Sequence, residues 1–209
     1  MNCKMLGAIF CTALVGFSAA KPKKEFEGVI TYITTVESKT PDFTTAQLQE
    51  AYGNLMTLYY KNGNYKMVFN GDDIRLIYYL KEKNTMYTVR KGIDTLFTAP
   101  CDQETRTLFS SVYTAGAETI LKKKCDLVVN DLGEMKNHYW FDPSLYVRPE
   151  HFSKYTLGFV NVYFEKAKSF WIKYWFEAPL LNVTHTAVSI KRTKIPDSTF
   201  DLPKFPEKK

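Results

Sequence analysis

The sequence is poor in the residues that carry most enzyme chemistry. It holds three histidines, His138, His151 and His185, scattered along its second half. No HExxH, GxSxG, phosphate-cradling glycine loop or EF-hand loop accompanies them. An isolated histidine on a strand is more often structural than catalytic. A hydrolase reading therefore rests on nothing beyond the presence of histidine and serine. The chain is expected to be a binding protein rather than an enzyme, with no cofactor and no metal. Cysteine is scarce as well. Only Cys101 and Cys125 fall beyond residue 20, too few for a complete four-ligand zinc site, and no CxxC or HxxxH spacing goes with them. Neither sign of charge dominates. Twenty-eight Lys and Arg against 22 Asp and Glu give a net +6, too mild an excess to point to nucleic acid. Long apolar runs are missing except for Met5–Phe17. That run falls short of the roughly 20 residues that span a bilayer.

The same run has the form of an export signal. Lys4 supplies a positive start, Met5–Phe17 the apolar stretch, and Ser18-Ala19-Ala20 the small residues of a cleavage site. Cys11 lies inside the apolar stretch after Phe10, which is the wrong place for a lipid-attachment cysteine. Residues 1–20 are thus expected to be removed. Residues 21–209 are expected to form one exported domain, in the periplasm or else secreted or at the cell surface, with no integral membrane segment. In an oxidising compartment two cysteines are the natural number for one disulfide, here Cys101 to Cys125. Its closed loop would contribute on the order of 3 kcal/mol by the chain-entropy model. Two unpaired thiols in the core are the alternative.

Strand signals dominate the rest of the chain. Glu25–Glu37 is rich in β-branched residues. Thr40-Pro41 resembles a helix start, with Asp42–Tyr52 as a short helix and Gly53 as its stop. Leu55–Lys61 and Asn64–Asn70 flank Asn62-Gly63, the clearest hairpin in the chain. Ile74–Leu80, Thr85–Arg90 and Ile93–Thr98 continue the meander, and Gly71-Asp72-Asp73 reads as a turn rather than a cation site. Residues 104–113 are expected to be a helix or a loop, 118–130 a strand and 135–141 its return. Residues 144–155 lie between prolines as a loop or short helix, and 160–165, 169–177 and 183–193 are the last strands. Lys122–Lys124 reads as a solvated strand end that discourages edge pairing. Asn182-Val-Thr184 matches a glycosylation sequon, a weak three-residue pattern.

About ten strands joined by short turns imply an antiparallel sheet too large to stay flat. The fold class is therefore mainly β, within the α+β class. The expected form is a strongly curved antiparallel sheet, a half-barrel, with one to three helices covering its concave face. Ile30, Tyr32, Leu58, Tyr60, Met67, Phe69, Leu76 and Tyr78 stand at period-two spacing and are the candidate lining of an apolar groove. Fourteen aromatics lie between Tyr139 and Phe176, including Tyr-Trp-Phe at 139–141 and again at 174–176. Successive strand residues face opposite ways, so such runs place rings on both sides of the sheet. One side fills the core, and the other needs a helix, a ligand, a partner or covering loops.

Five segments carry a family likeness: Phe26–Tyr32, Met56–Phe69, Glu118–Cys125, Tyr139–Pro143 and Ile195–Pro203. On these the chain resembles the bacterial lipoprotein carriers LolA and LolB, and more closely an uncharacterised exported relative of theirs. Lys122–Cys125 lacks the glycine and tyrosine found at that point in such relatives. The resemblance implies a half-barrel whose concave face, under a helical lid, holds acyl chains. The arginine on which the carriers depend has only Arg75 and Arg90 as possible counterparts. The expected partner is a hydrophobic or amphipathic ligand, a lipid or a lipoprotein acyl chain. The alternative is an envelope protein, with this chain as an assembly module with a filled core and no small ligand.

Overall fold

The computed structural model describes residues 23–208. The export signal expected over residues 1–20 lies outside them. Gly28–Ser38 forms β1, and its even-numbered residues Ile30, Tyr32, Thr34 and Val36 are buried while Ile33, Thr35 and Glu37 face water. This strict alternation, with β-branched residues between, is what a half-buried strand requires. β1 then meets Leu55–Lys61 (β2) on one side and Leu181–Arg192 (β11) on the other. A first meander runs outward from β2 through Asn64–Phe69 (β3), Ile74–Leu80 (β4), Thr85–Arg90 (β5) and Leu96–Pro100 (β6). A second comprises Ser110–Ile120 (β7), Lys123–Asp131 (β8), Lys136–Tyr146 (β9) and Ser169–Glu177 (β10), which pairs with β11. Glu207–Lys208 (β12) adds alongside β6, the one parallel pairing among the described residues. The result is a single open, curved sheet of twelve strands, mainly antiparallel, that does not close on itself.

Two α-helices and three short 3-10 turns complete the described fold. Thr45–Tyr52 (α1) begins one turn later than Thr40-Pro41 suggests, because Thr44 and Gln47 form a reciprocal capping box. β2 accompanies β1 only as far as Ile33. Beyond that point α1 takes its place: Gln49 accepts from Val36 N–H and donates to the Thr34 carbonyl. Val160–Ala167 (α2) forms where a strand is expected over 160–165. Valine and aromatic content favours strand locally, but Tyr163, Phe164 and Ala167 fall on one helical face and are buried in the core. Phe159 and Lys168, both at positive φ, turn the chain sharply at its two ends.

The segment from 101 to 120 also departs from expectation. No helix forms over 104–113: Glu104 ties up the amides of Thr105 and Arg106, and β7 starts at Ser110. The single strand expected over 118–130 is a hairpin, because Leu121 and Lys122 both take left-handed backbone and reverse the chain. β9 runs on past Phe141 to Tyr146, and Pro149–Phe152 is a 3-10 turn. The expected 93–98 strand is shifted to Leu96–Pro100.

Cys101 and Cys125 are free, buried thiols and form no disulfide. Cys101 directly follows β6 and Cys125 lies in β8, with eight strands between these two in the sheet order. Each sulfur is settled against its own strand, Cys101 Sγ on the Ala99 carbonyl at 3.7 Å and Cys125 Sγ on that of Lys123 at 3.1 Å. Burial pushes the Cys101 thiol up to about 12 and raises that of Cys125. Thiolate is the reactive form. We therefore expect neither cysteine to be alkylated by iodoacetamide in native protein at pH 8, and both to be alkylated in denaturant without a reducing agent. A mass unchanged by denaturation would show that the thiols are bonded after all.

Candidate functional site

The concave face of the sheet and a lid drawn from residues 149–167 enclose the core. Lid and sheet meet through rings. Phe152 stacks on Phe164 at 3.7 Å, on Tyr79 at 5.6 Å and on Tyr60 at 6.4 Å. Tyr163 stacks on Tyr139 at 4.2 Å and Tyr155 on Tyr79 at 4.7 Å. Two carboxylates clamp the lid. Glu25 accepts from Tyr60 Oη at 2.7 Å and sits 3.2 Å from both Arg148 and His151. Glu104 binds Arg106 and the amide of Gly158, at the turn into α2. Those contacts hold its carboxyl down at about 2, the Arg106 side chain contributing most.

The rings do not fill the hollow completely. A cavity of about 270 Å³ remains under the lid, beside α1. Met67, Phe69, Ile77 and Met86 wall it on the β3–β5 side, Tyr139, Trp171 and Tyr174 on the β9–β10 side, and Tyr155 and Val160 from the lid. Met56, Tyr65 and Ile74, with Tyr52 of α1 and His185 of β11, complete it. No Asp, Glu, Lys or Arg among the described residues lines it.

The eight groove residues expected from the sequence are divided by the structure. Met67 and Phe69 line the cavity. Ile30, Tyr32, Leu58 and Tyr60 point the same way but are wholly buried in the packed core. Leu76 and Tyr78 lie on the opposite face, packed with Tyr87, Val89 and Leu96 beneath Leu202 and Phe205 of the C-terminal tail. The reason lies in β4, Ile-Arg-Leu-Ile-Tyr-Tyr-Leu, which is apolar in both parities. Alternation alone cannot choose between Leu76/Tyr78 and Ile77/Tyr79, but the pairing Tyr65–Tyr79 fixes the second set inward. Arg75 is exposed, and Arg90 pairs with Asp73 at 3.4 Å outside the cavity, so neither arginine lines it.

The aromatic runs do put rings on both sides. Tyr139 and Tyr174 face the cavity, while Trp140 and Trp175 face away. The outer rings are covered by the chain's own side chains: Lys173 Nζ lies 4.4 Å from the Trp140 ring and His138 stacks on Trp175 at 4.3 Å. Phe170 and Trp171 break the alternation. Two register shifts in β10 let both consecutive rings enter the core.

Sequence reasoning missed one row of residues. Thr34, His185, Tyr174 and Tyr139 are successive partners across β1, β11, β10 and β9. His185 Nδ1 lies 2.8 Å from Thr34 Oγ1, and Tyr174 Oη donates to Asn137 Oδ1 at 2.7 Å. Burial pushes His185 down to about 4. His138 and His151 are engaged elsewhere, each with a glutamate. Among the described residues no cluster of His, Cys, Asp and Glu is arranged to hold a metal ion, and no helix is long and apolar enough to cross a membrane.

Comparison with known proteins gives little to set beside this geometry. No family model matches the chain, and no curated protein does. The solved structure of PNGF-II is similar over 88% of this chain, with a TM-score of 0.47 and 13% identity. The chain spans about a third of that protein, 32% of its length. At this level neither fold nor activity passes from one to the other.

His185 gives the site a measurable pH signature. Its folded-state value is depressed, so on acidification the unfolded chain takes up a proton near pH 6.5 that the folded chain refuses until about 4. Stability must fall across that window, by up to about 3 kcal/mol from this residue. Urea unfolding at pH 7 and pH 4.5 should show His185→Asn losing about 2 kcal/mol less than wild type between the two. Equal losses in both proteins would place the acid sensitivity elsewhere.

Proposed function

We propose that this protein is an exported binding protein that holds an apolar or amphipathic ligand in the hollow between sheet and lid. The ligand is of lipid character, a free lipid or the acyl portion of a lipidated protein. One observation carries the reading: an apolar cavity of about 270 Å³, walled by rings and methionines, left open in a core that is otherwise densely packed. Interiors rarely leave such space, and apolar voids take up apolar molecules. Methionine walls adapt to the shape of an occupant. An open curved sheet under a helical cover agrees with the likeness to the LolA and LolB carriers, and an exported location agrees with the N-terminal segment. No catalytic role is assigned, because the histidines are occupied with structural partners or buried neutral.

A second reading, an envelope protein-interaction module, is favoured by the bare β7 edge. There Phe109 is 70% exposed, Val112 54% and Tyr113 48%, and residues 110–117 carry no charge to deter a partner strand.

The test is titration with N-phenylnaphthylamine, whose fluorescence rises in apolar surroundings. Wild type should show saturable enhancement. Ile77→Trp, which fills the cavity, should weaken it at least about tenfold, with the melting temperature largely kept. Solvent extraction and mass spectrometry of freshly purified protein should recover an apolar compound. Absence of saturable binding, or binding unchanged in Ile77→Trp, would leave the interaction module as the better account.

A further inference from the structure

Two buried residues of the cavity wall each hold a polar atom that keeps accessible surface and has no protein partner among the described residues. His185 is 9% exposed and Tyr139 3%. His185 bonds Thr34 through Nδ1, and Nε2 makes no hydrogen bond among the described residues. Tyr139 Oη makes none among them either. Both atoms are absent from the sealed, unsatisfied polar atoms of the core, which are on Asn161, Trp171 and Asn182. Each therefore keeps accessible surface, and for two such buried residues that line the cavity, the cavity is the space that supplies it. The other tyrosines deep in the wall are satisfied, Tyr174 by Asn137 and Tyr65 with Tyr155 by each other. Tyr139 and His185 flank the Tyr174 ring, which lies 5.1 Å from the one and is stacked at 6.2 Å on the other.

Resting on the cavity reading above, we infer that the ligand is a small neutral molecule with an apolar body and a hydroxyl group, the body lying over Tyr174 and the hydroxyl bonded to His185 Nε2 or Tyr139 Oη. Three properties of the site select this class. The first is size. An apolar cavity of about 150 Å³ accepts benzene, so about 270 Å³ holds a ring with a short tail. The second is charge. The wall has no ionic side chain among the described residues, and Arg106, within electrostatic reach of Tyr139 and Tyr174, is already paired with Glu104, so an ionised carboxylate or ammonium buried there would lose its hydration with no free countercharge. The third is the bonding pattern. The bond between Thr34 and His185 forms with either tautomer, leaving Nε2 as acceptor in one and donor in the other. A hydroxyl can donate and accept, so it suits both tautomers and the tyrosine.

The test uses three probes of one shape on the whole purified protein, each displacing N-phenylnaphthylamine: para-propylphenol, propylbenzene and para-propylbenzoate. The phenol should bind about tenfold more tightly than the hydrocarbon, and the benzoate more weakly than either at pH 7.5. In the Tyr139→Phe, His185→Asn double variant the ratio of phenol to propylbenzene affinity should fall to about one. Tyr139→Phe alone, which keeps the ring and its stacking, serves if the double variant does not fold, and should reduce the preference. Equal binding of phenol and hydrocarbon, tighter binding of the benzoate, or a preference that survives the substitutions overturns this assignment and leaves the cavity reading standing. If none of the three displaces the dye, both fall.

Discussion

Phe152 and Phe164 lie face to face at 3.7 Å, and the lid owes its existence to contacts of this kind. α2 has eight residues, and the two 3-10 turns before it have four and three. Helices so short do not persist alone in water. Here they are held because Phe152, Tyr155, Tyr163 and Phe164 each set a ring against one from the sheet or from one another. Stacked and edge-on pairs add about 0.5–1.5 kcal/mol each beyond the area they bury. Glu25 and Glu104 then fix the lid at its start and at the turn into α2, which ring packing by itself does not do. The cavity is the remainder left when rigid, flat groups tile a curved surface.

The sheet is long enough that one chain direction cannot build it by meandering alone. β1 closes the gap by pairing with β2 and β11, residues distant in sequence, and so joins two meanders into one. This is why the buried parity of β1 propagates through the structure. Ile30 faces Leu58, Leu58 faces Met67, and Met67 faces Ile77, all on the concave side.

Much of this was legible beforehand. The Asn62-Gly63 hairpin, the short helix before Gly53, the alternation in β1 to β3 and the curved antiparallel sheet all follow from local pattern. What was not legible shares one physical origin. In β4 both parities are apolar, so only the neighbouring strand decides which face is inward. In α2 a strand-like composition is overruled by the burial of Tyr163 and Phe164. At Leu121-Lys122 two ordinary residues adopt a backbone usually left to glycine. The expected disulfide rested on parity of count and took no account of where β6 and β8 sit. The site was legible in its character, aromatic and apolar, and hidden in its detail. Tyr139 and His185 are 46 residues apart in sequence and become neighbours of one ring only through two strand pairings.

An open sheet has two ends, and here they differ. One is occupied by the chain's own tail, where Glu207–Lys208 runs beside β6. The other, β7, has a neighbour on one side only. The tail covers only Leu96 and Phe97 of β6, so β7 is the longer of the two bare margins. Two molecules joined β7 to β7 would each use that margin up, so growth through β7 stops at a pair.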